Sequence, residues 1–168
     1  MRRTLFLLLL VSLVAAGAGL ARAQQGQPMA TNAAEYKFVT RSHLPDCQYV
    51  AHLRGNPRTE PSITFEKFAA GCKLPWHWHT VDTEVMMVHG VSLLELKGQK
   101  PVSLGPGGYA FVPARRVHRF SCAAPCQHFD YALGPRDLHY VDATGNEITP
   151  EAALKAVNEK PGLIPAAK

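Results

Sequence analysis

Several familiar signatures are missing from these 168 residues. No internal repeat, heptad or nucleotide-binding glycine motif occurs, which sets aside solenoids, coiled coils and glycine-loop phosphate binding. A basic helix and an aromatic-basic sheet motif are also missing, so nothing points to nucleic acid. Charge itself is absent from Thr4 through Ala21. That gap follows Met1-Arg2-Arg3, contains the apolar run Leu5–Val14 and ends at the small-residue stretch Ala21-Arg22-Ala23. The run is short of the roughly 20 apolar residues a spanning helix needs. It predicts a secretory signal peptide over residues 1–23, cleaved before Gln24, and a periplasmic or secreted protein with no membrane attachment afterwards. An uncleaved anchor and a twin-arginine export signal, from the adjacent Arg2-Arg3, are the competing readings.

Cleavage also removes Arg2, Arg3 and Arg22. Fifteen of the 18 basic residues then face 13 acidic ones, and the net charge drops from +5 to about +2. About 145 residues remain, enough for one domain with its own core. Residues 24–40 are polar and aperiodic and predict a flexible leader, with an edge strand at its end as one option. Residues 41–148 carry many short apolar runs separated by Gly/Pro turns, the pattern of an all-β antiparallel barrel or jelly roll. The predicted strands are Cys47–Arg54, Ser62–Ala70, Glu84–His89, Ser92–Lys97, Pro101–Leu104, Tyr109–Val112, Val117–Cys122 and Gln127–Ala132. The last two form a hairpin around Ala-Ala-Pro in this reading. Residues 149–168 switch to a helical period, with Thr149 as N-cap, Pro150 in the first turn and Pro161-Gly162 as the stop.

The four cysteines of an exported chain predict disulfides. Cys122 and Cys126 flank a turn, and Cys47 and Cys72 lie at the outer ends of the early hairpin, which favours Cys47–Cys72 with Cys122–Cys126. Other pairings, a zinc-binding Cys122/Cys126 pair and a redox thiol near the metal remain open.

Chemistry concentrates in GCKLPWHWHTVDTEVMMVHG, residues 71–90. His77 and His79 share one face of a strand, because alternate side chains point the same way. Thr80–Thr83 suits a turn, after which Glu84 returns toward the same point. His118, in GPGGYAFVPARRVHRF, is a fourth candidate. Imidazoles and a carboxylate suit one divalent transition metal, Zn, Cu, Mn, Fe or Ni.

These two stretches resemble the paired motifs of the cupin superfamily. The first is G-x5-H-x-H-x3,4-E-x6-G, matched by Gly71, His77, His79, Glu84 and Gly90 with the last gap one residue short. The second is G-x5-P-x-G-x2-H-x3-N, matched by Gly107, Pro113 and His118, with Arg115 in place of Gly and Cys122 in place of Asn. The resemblance implies a double-stranded β-helix, here with a short C-terminal helix, and a metal held by His77, His79, Glu84 and His118. It leaves two function classes open. One is a metal-dependent enzyme, dioxygenase-like or isomerase-like, acting on a small polar molecule. The other is a non-catalytic ligand-binding or sensing module stabilised by metal.

His43, His52, His89, His128 and His139 lack partners at diagnostic spacing and read as surface or hydrogen-bonded structural residues. Trp76 and Trp78 read as sheet packing, and Arg115 and Arg116 as solvated loop residues with anion binding as the sharper alternative. Met86 shares a strand face with Glu84 and is expected to line the barrel. Val85 and Met87 then face outward, as a surface for a homodimer or for the C-terminal helix.

Overall fold

Short alternating runs with glycine and proline turns build eleven strands among the described residues, 29–158 of this computed structural model. The expected signal peptide, residues 1–23, lies outside the described residues, as does the expected helix stop at Pro161-Gly162. In chain order the strands are β1 (Phe38–Val39), β2 (Gln48–Arg54), β3 (Ser62–Phe68), β4 (Cys72–Trp78), β5 (Thr83–His89), β6 (Ser92–Leu96), β7 (Val102–Leu104), β8 (Tyr109–Val112), β9 (His118–Cys122), β10 (Cys126–Ala132) and β11 (His139–Tyr140). A 3-10 turn at Ala33–Glu35 precedes β1, and a helix α1 (Pro150–Asn158) follows β11.

Two sheets face each other. One has six strands in the order β1-β2-β3-β10-β5-β8, the other five in the order β11-β4-β9-β6-β7, and every named pairing is antiparallel. This is the expected all-β jelly roll with its short C-terminal helix. Period-two alternation sends one face of each strand inward. Phe68, Leu74, Val85, Met87, Leu94, Val112 and Phe120 meet between the sheets as a buried core. On the outer side of the six-stranded sheet, Tyr36 packs its ring edge-on against Phe65 with 5.3 Å between centroids, which puts the segment before β1 to use as a cover. At the start of α1, the Thr149 hydroxyl accepts a hydrogen bond from the Ala152 amide at 3.3 Å, as an N-cap does.

Three expectations are corrected here. β9 and β10 do not form a hairpin: β9 pairs with β4 and β6, whereas β10 pairs with β3 and β5 in the other sheet. The Ala-Ala-Pro turn is therefore a corner where the chain changes sheets. The inner and outer faces of β5 are also exchanged. Thr83, Val85 and Met87 are buried, while Glu84 is only partly buried and Met86 and Val88 are exposed. The apolar outer surface consequently consists of Met86 and Val88 beside Tyr109 and Phe111 of β8, and not of Val85 and Met87.

The cysteines pair as Cys47–Cys72 and Cys122–Cys126, and none is free among the described residues. Cys72 and Cys122 lie opposite each other across β4 and β9, and each reaches a partner at the other sheet's end. Both bridges thus staple the same end of the sandwich. Loop closure over 25 residues is worth about 3.5 kcal/mol in the chain-entropy picture, and closure over four about 2 kcal/mol.

Candidate metal centre

Strict alternation along β4 would defeat the histidine site. Cys72 and Leu74 point inward, so Trp76 and Trp78 should follow them, leaving His77 outside. A bulge between Leu74 and His77 inserts one extra residue and reverses the parity. Pro75, which has no N–H to give the ladder, sits within it. His77 and His79 then face the interior, and His77 lies directly opposite His118 of β9. Trp76 and Trp78 are left on the outer face, where Arg119 and Arg115 lie over their rings and His139 stacks on Trp78 with 3.9 Å between centroids. They are sheet-packing residues, as expected.

His77, His79 and His118 converge, each offering one ligand nitrogen within 4.8 Å of the others, and each no more than 6 % exposed. Their Nδ1 atoms are all occupied by main-chain carbonyls. His77 donates to Pro75 O at 2.7 Å, His79 to Asp137 O at 2.5 Å and His118 to Arg116 O at 2.8 Å. A carbonyl can only accept, so each ring carries its proton on Nδ1 and keeps the Nε2 lone pair for a metal. Burial, followed by the neighbouring His118 and His79, holds the His77 pKa well below its usual value. Burial, then Arg136 and His118, lowers His79 to about 3. Burial is also the main cause at His118, which falls to about 4. Three neutral, oriented imidazoles therefore face one point at neutral pH.

Glu84 is not among them. It pairs with Phe111 and Tyr131 on the outer side of β5, and Thr83 takes the inward position beside Val112 and Ala132. The turn explains this. Asp82 accepts the Ala114 amide at 2.7 Å through its side chain and the Leu133 amide at 3.0 Å through its carbonyl. That double anchor starts β5 with Thr83 pointing in.

The interior carboxylates come instead from the opposite wall. Glu66 of β3 and His128 and Asp130 of β10 form a second buried cluster whose ligand atoms also lie within 4.8 Å of one another. Arg136 is wedged into it, 3.6 Å from Glu66 and in direct contact with Asp130. Glu66 further accepts hydrogen bonds from Gln48 Nε2 at 2.8 Å and Thr64 Oγ1 at 3.1 Å, and lies 3.5 Å from His128 Nε2. Burial by itself would raise the Glu66 pKa; Arg136, His128 and Gln48 outweigh it and hold the carboxyl down to about 2. At Asp130 burial prevails, aided by the nearby Glu66 charge, and the pKa rises despite Arg136. A guanidinium already neutralises this cluster, so an added cation is better served by the histidine wall. His128 Nδ1 is buried without a hydrogen-bond partner.

Both walls line one inner cavity of about 30 Å³, together with Thr83, Phe68 and Phe120. No motif marks Glu66, Asp130 or Arg136, and His128 read as a surface or hydrogen-bonded structural residue. The available signal was phase alone: Glu66 falls in step with Phe68, and Asp130 with His128, on strands whose other inward residues are small or apolar. Beside the site, Arg115 adopts φ 61° at the position where the resemblance has Gly. A left-handed conformation costs about 1–2 kcal/mol for a residue with a Cβ. Its amide donates to His79 O at 2.7 Å, tying that strained turn to a candidate ligand.

No protein-family model matches the sequence, and a search of curated proteins gives no match. Solved structures do match. An RmlC-like cupin from Ralstonia eutropha is 20 % identical with a TM-score of 0.60, over 78 % of this chain and 85 % of that one. The polyketide cyclase RemF from Streptomyces resistomycificus is 18 % identical with a TM-score of 0.60, over 69 % and 87 %. The DMSP lyase DddQ from Ruegeria pomeroyi is 17 % identical with a TM-score of 0.54, over 69 % and 61 %. With two antiparallel sheets, histidines converging from β4 and β9, and these neighbours, the chain has the fold of the cupin superfamily.

Proposed function

We propose that this chain is an exported, metal-dependent enzyme of proton-transfer type, isomerase-like or lyase-like, acting on a small polar molecule. The observation that carries the reading is the shared state of His77, His79 and His118: buried, neutral and pinned through Nδ1 to main-chain carbonyls. Three protein ligands leave coordination positions free, as catalytic sites require. A divalent ion held there would supply Lewis-acid polarisation of a carbonyl or stabilisation of an enolate, and Fe, Mn or Cu would add redox capacity.

The chain's own residues favour proton transfer over oxidative cleavage. His128 stands beside the ionised Glu66 on the facing wall, where its imidazole can pass a proton within the cavity. Arg136 and Gln48 fix Glu66 in its ionised form, and Phe68 and Phe120 bracket the His128 ring at 5.3 and 4.9 Å. That a cyclase and a lyase share the fold supports only its capacity to host catalysis. Export rests on the sequence of residues 1–23, and the two disulfides agree with an oxidising compartment. Among the described residues no helix is long and apolar enough to cross a membrane.

Elemental analysis of untagged mature protein, beside a His77→Ala/His79→Ala variant, tests the centre. About one divalent ion per wild-type chain and nearly none in the variant is expected. Equal, low metal in both under saturating conditions removes the proposal. One observation favours a second reading, a binding or sensing module: an inner cavity of about 30 Å³ accommodates an ion and a water, not a whole metabolite. Turnover screening of metal-loaded protein against small hydroxy and keto acids separates the two.

A further inference from the structure

A second, larger cavity of about 310 Å³ opens beside the inner one, and Glu66, Leu74 and Arg136 line both. Its volume falls at the lower end of the range for metabolite sites. The ionisable residues in its otherwise largely apolar wall are predominantly basic. Arg41, Arg58 and Arg136 line it, as do His43 and His52, against only two carboxylates, Glu66 and Asp137. Both carboxylates are already engaged within the fold. Glu66 is held by Arg136, Gln48 and Thr64; Asp137 accepts the Thr80 amide at 2.8 Å and the Thr80 hydroxyl at 2.7 Å. Arg136 is committed to Asp130 and Glu66.

Arg41 and Arg58 differ from Arg136 in this respect. Neither forms an ion pair with a carboxylate among the described residues. Arg41 is in contact with His52 Nε2, a neutral acceptor that orients the guanidinium without cancelling its charge. The lowered pKa values of His43 and His52, due first to burial and then to Arg41 and Arg136, agree with an uncompensated positive field in this cavity. A polar acceptor is left over as well. Gln48 lines the cavity, donates its amide nitrogen to Glu66, and has a buried Oε1 with no hydrogen-bond partner. Because Glu66 is ionised and can only accept, the amide cannot be turned round to use that oxygen elsewhere.

We propose that this outer cavity binds a small hydroxycarboxylate, its carboxylate held by Arg41 and Arg58 and its hydroxyl donated to Gln48 Oε1. Two guanidinia present forked donors matched to a carboxylate. A hydroxyl supplies the donor that the buried amide oxygen lacks. Since Glu66, Leu74 and Arg136 border both chambers, a ligand anchored in the outer one extends toward His128 and the histidine triad. This names the substrate class of the centre proposed above and rests on that reading.

The test is calorimetric titration of the mature, metal-loaded chain with L-malate, succinate, malamide and inorganic phosphate, with metal content measured on each preparation. Malate is expected to bind, succinate at least fivefold more weakly for want of the hydroxyl, and malamide not at all. Arg58→Gln, on an exposed turn, and Arg41→Gln should each weaken malate at least tenfold while leaving metal content unchanged. No binding of malate to metal-loaded protein, malate binding by either arginine variant as tight as by the wild type, or phosphate binding as tightly as malate would each overturn the assignment. The His77→Ala/His79→Ala variant separates the two readings: retained malate binding without metal keeps the anion site even if the metal centre fails.

Discussion

The two walls of the inner cavity solve the burial of polar groups in opposite ways. On the five-stranded sheet, three histidines are buried neutral, each satisfied at one nitrogen by a carbonyl and left with a lone pair at the other. On the six-stranded sheet, Glu66, His128 and Asp130 are buried around the partly buried Arg136 guanidinium of the following loop, as a set that largely satisfies itself. The first arrangement has unused coordinating capacity; the second has almost none. A buried group is available to a ligand only when the fold leaves it a free valence, and burial by itself does not tell the two cases apart.

Breaking the charged wall should have the largest effect. Arg136→Met leaves Glu66 and Asp130 buried without their cation, and a loss of about 3–5 kcal/mol in urea unfolding is expected. A loss below 1 kcal/mol would mean that the carboxylates are solvated or neutral, and the contrast between the walls would disappear.

The neutral wall should respond to metal instead. A divalent ion at a hundred times its dissociation constant should stabilise the wild type by about 2.7 kcal/mol, and His118→Ala by almost nothing, read as thermal shifts with and without chelator. Equal shifts in both proteins would move the metal off the triad.

Acid should separate the walls by pH. In metal-free protein, His79 and His118 bind protons more weakly folded than unfolded, where the value is 6.5. Their contribution is complete above about pH 6.5 and is lost as pH falls toward 4 and then 3. Glu66, lowered from 4.5 to about 2, contributes fully above 4.5 and loses its share between about 4.5 and 2. Urea midpoints measured in chelator from pH 8 to 3 should therefore begin to fall below 6.5. In His77→Ala/His79→Ala that upper limb should shrink while the lower one stays. A profile flat down to pH 4.5 in the wild type would contradict the neutral triad.

The smallest effect sharpens the boundary of the site. Glu84→Gln should change stability by no more than about 0.5 kcal/mol and leave metal stoichiometry as it was. Loss of metal in this variant would restore Glu84 as a ligand.

Much of this was legible in the chain. The spacing of glycines and prolines located most strands to within a residue or two, because turn chemistry is local. The cysteines paired as their positions favoured. His77, His79 and His118 were found because a short motif frames them. Glu84 was misplaced for a physical reason: a carboxylate five residues beyond His79 has the right chemistry, but its direction depends on how Asp82 is anchored by Ala114 and Leu133. Glu66, Asp130 and Arg136 were missed because no local spacing connects residues on β3, on β10 and in the loop after it.

By itself the sequence determined the all-β class, the strand positions, the terminal helix and the identity of three converging histidines, since all depend on periodicity, turn residues and short-range frames. Only the tertiary structure decided which way each wall faces. The bulge at Pro75 turns His77 inward, the corner at Ala123-Ala124-Pro125 sends β10 to the opposite sheet, and the pairing of β10 with β3 brings Asp130 and His128 beside Glu66. Side-chain direction in a sheet reverses with a shift of one residue. A contact between distant strands is fixed only when the two sheets close on each other.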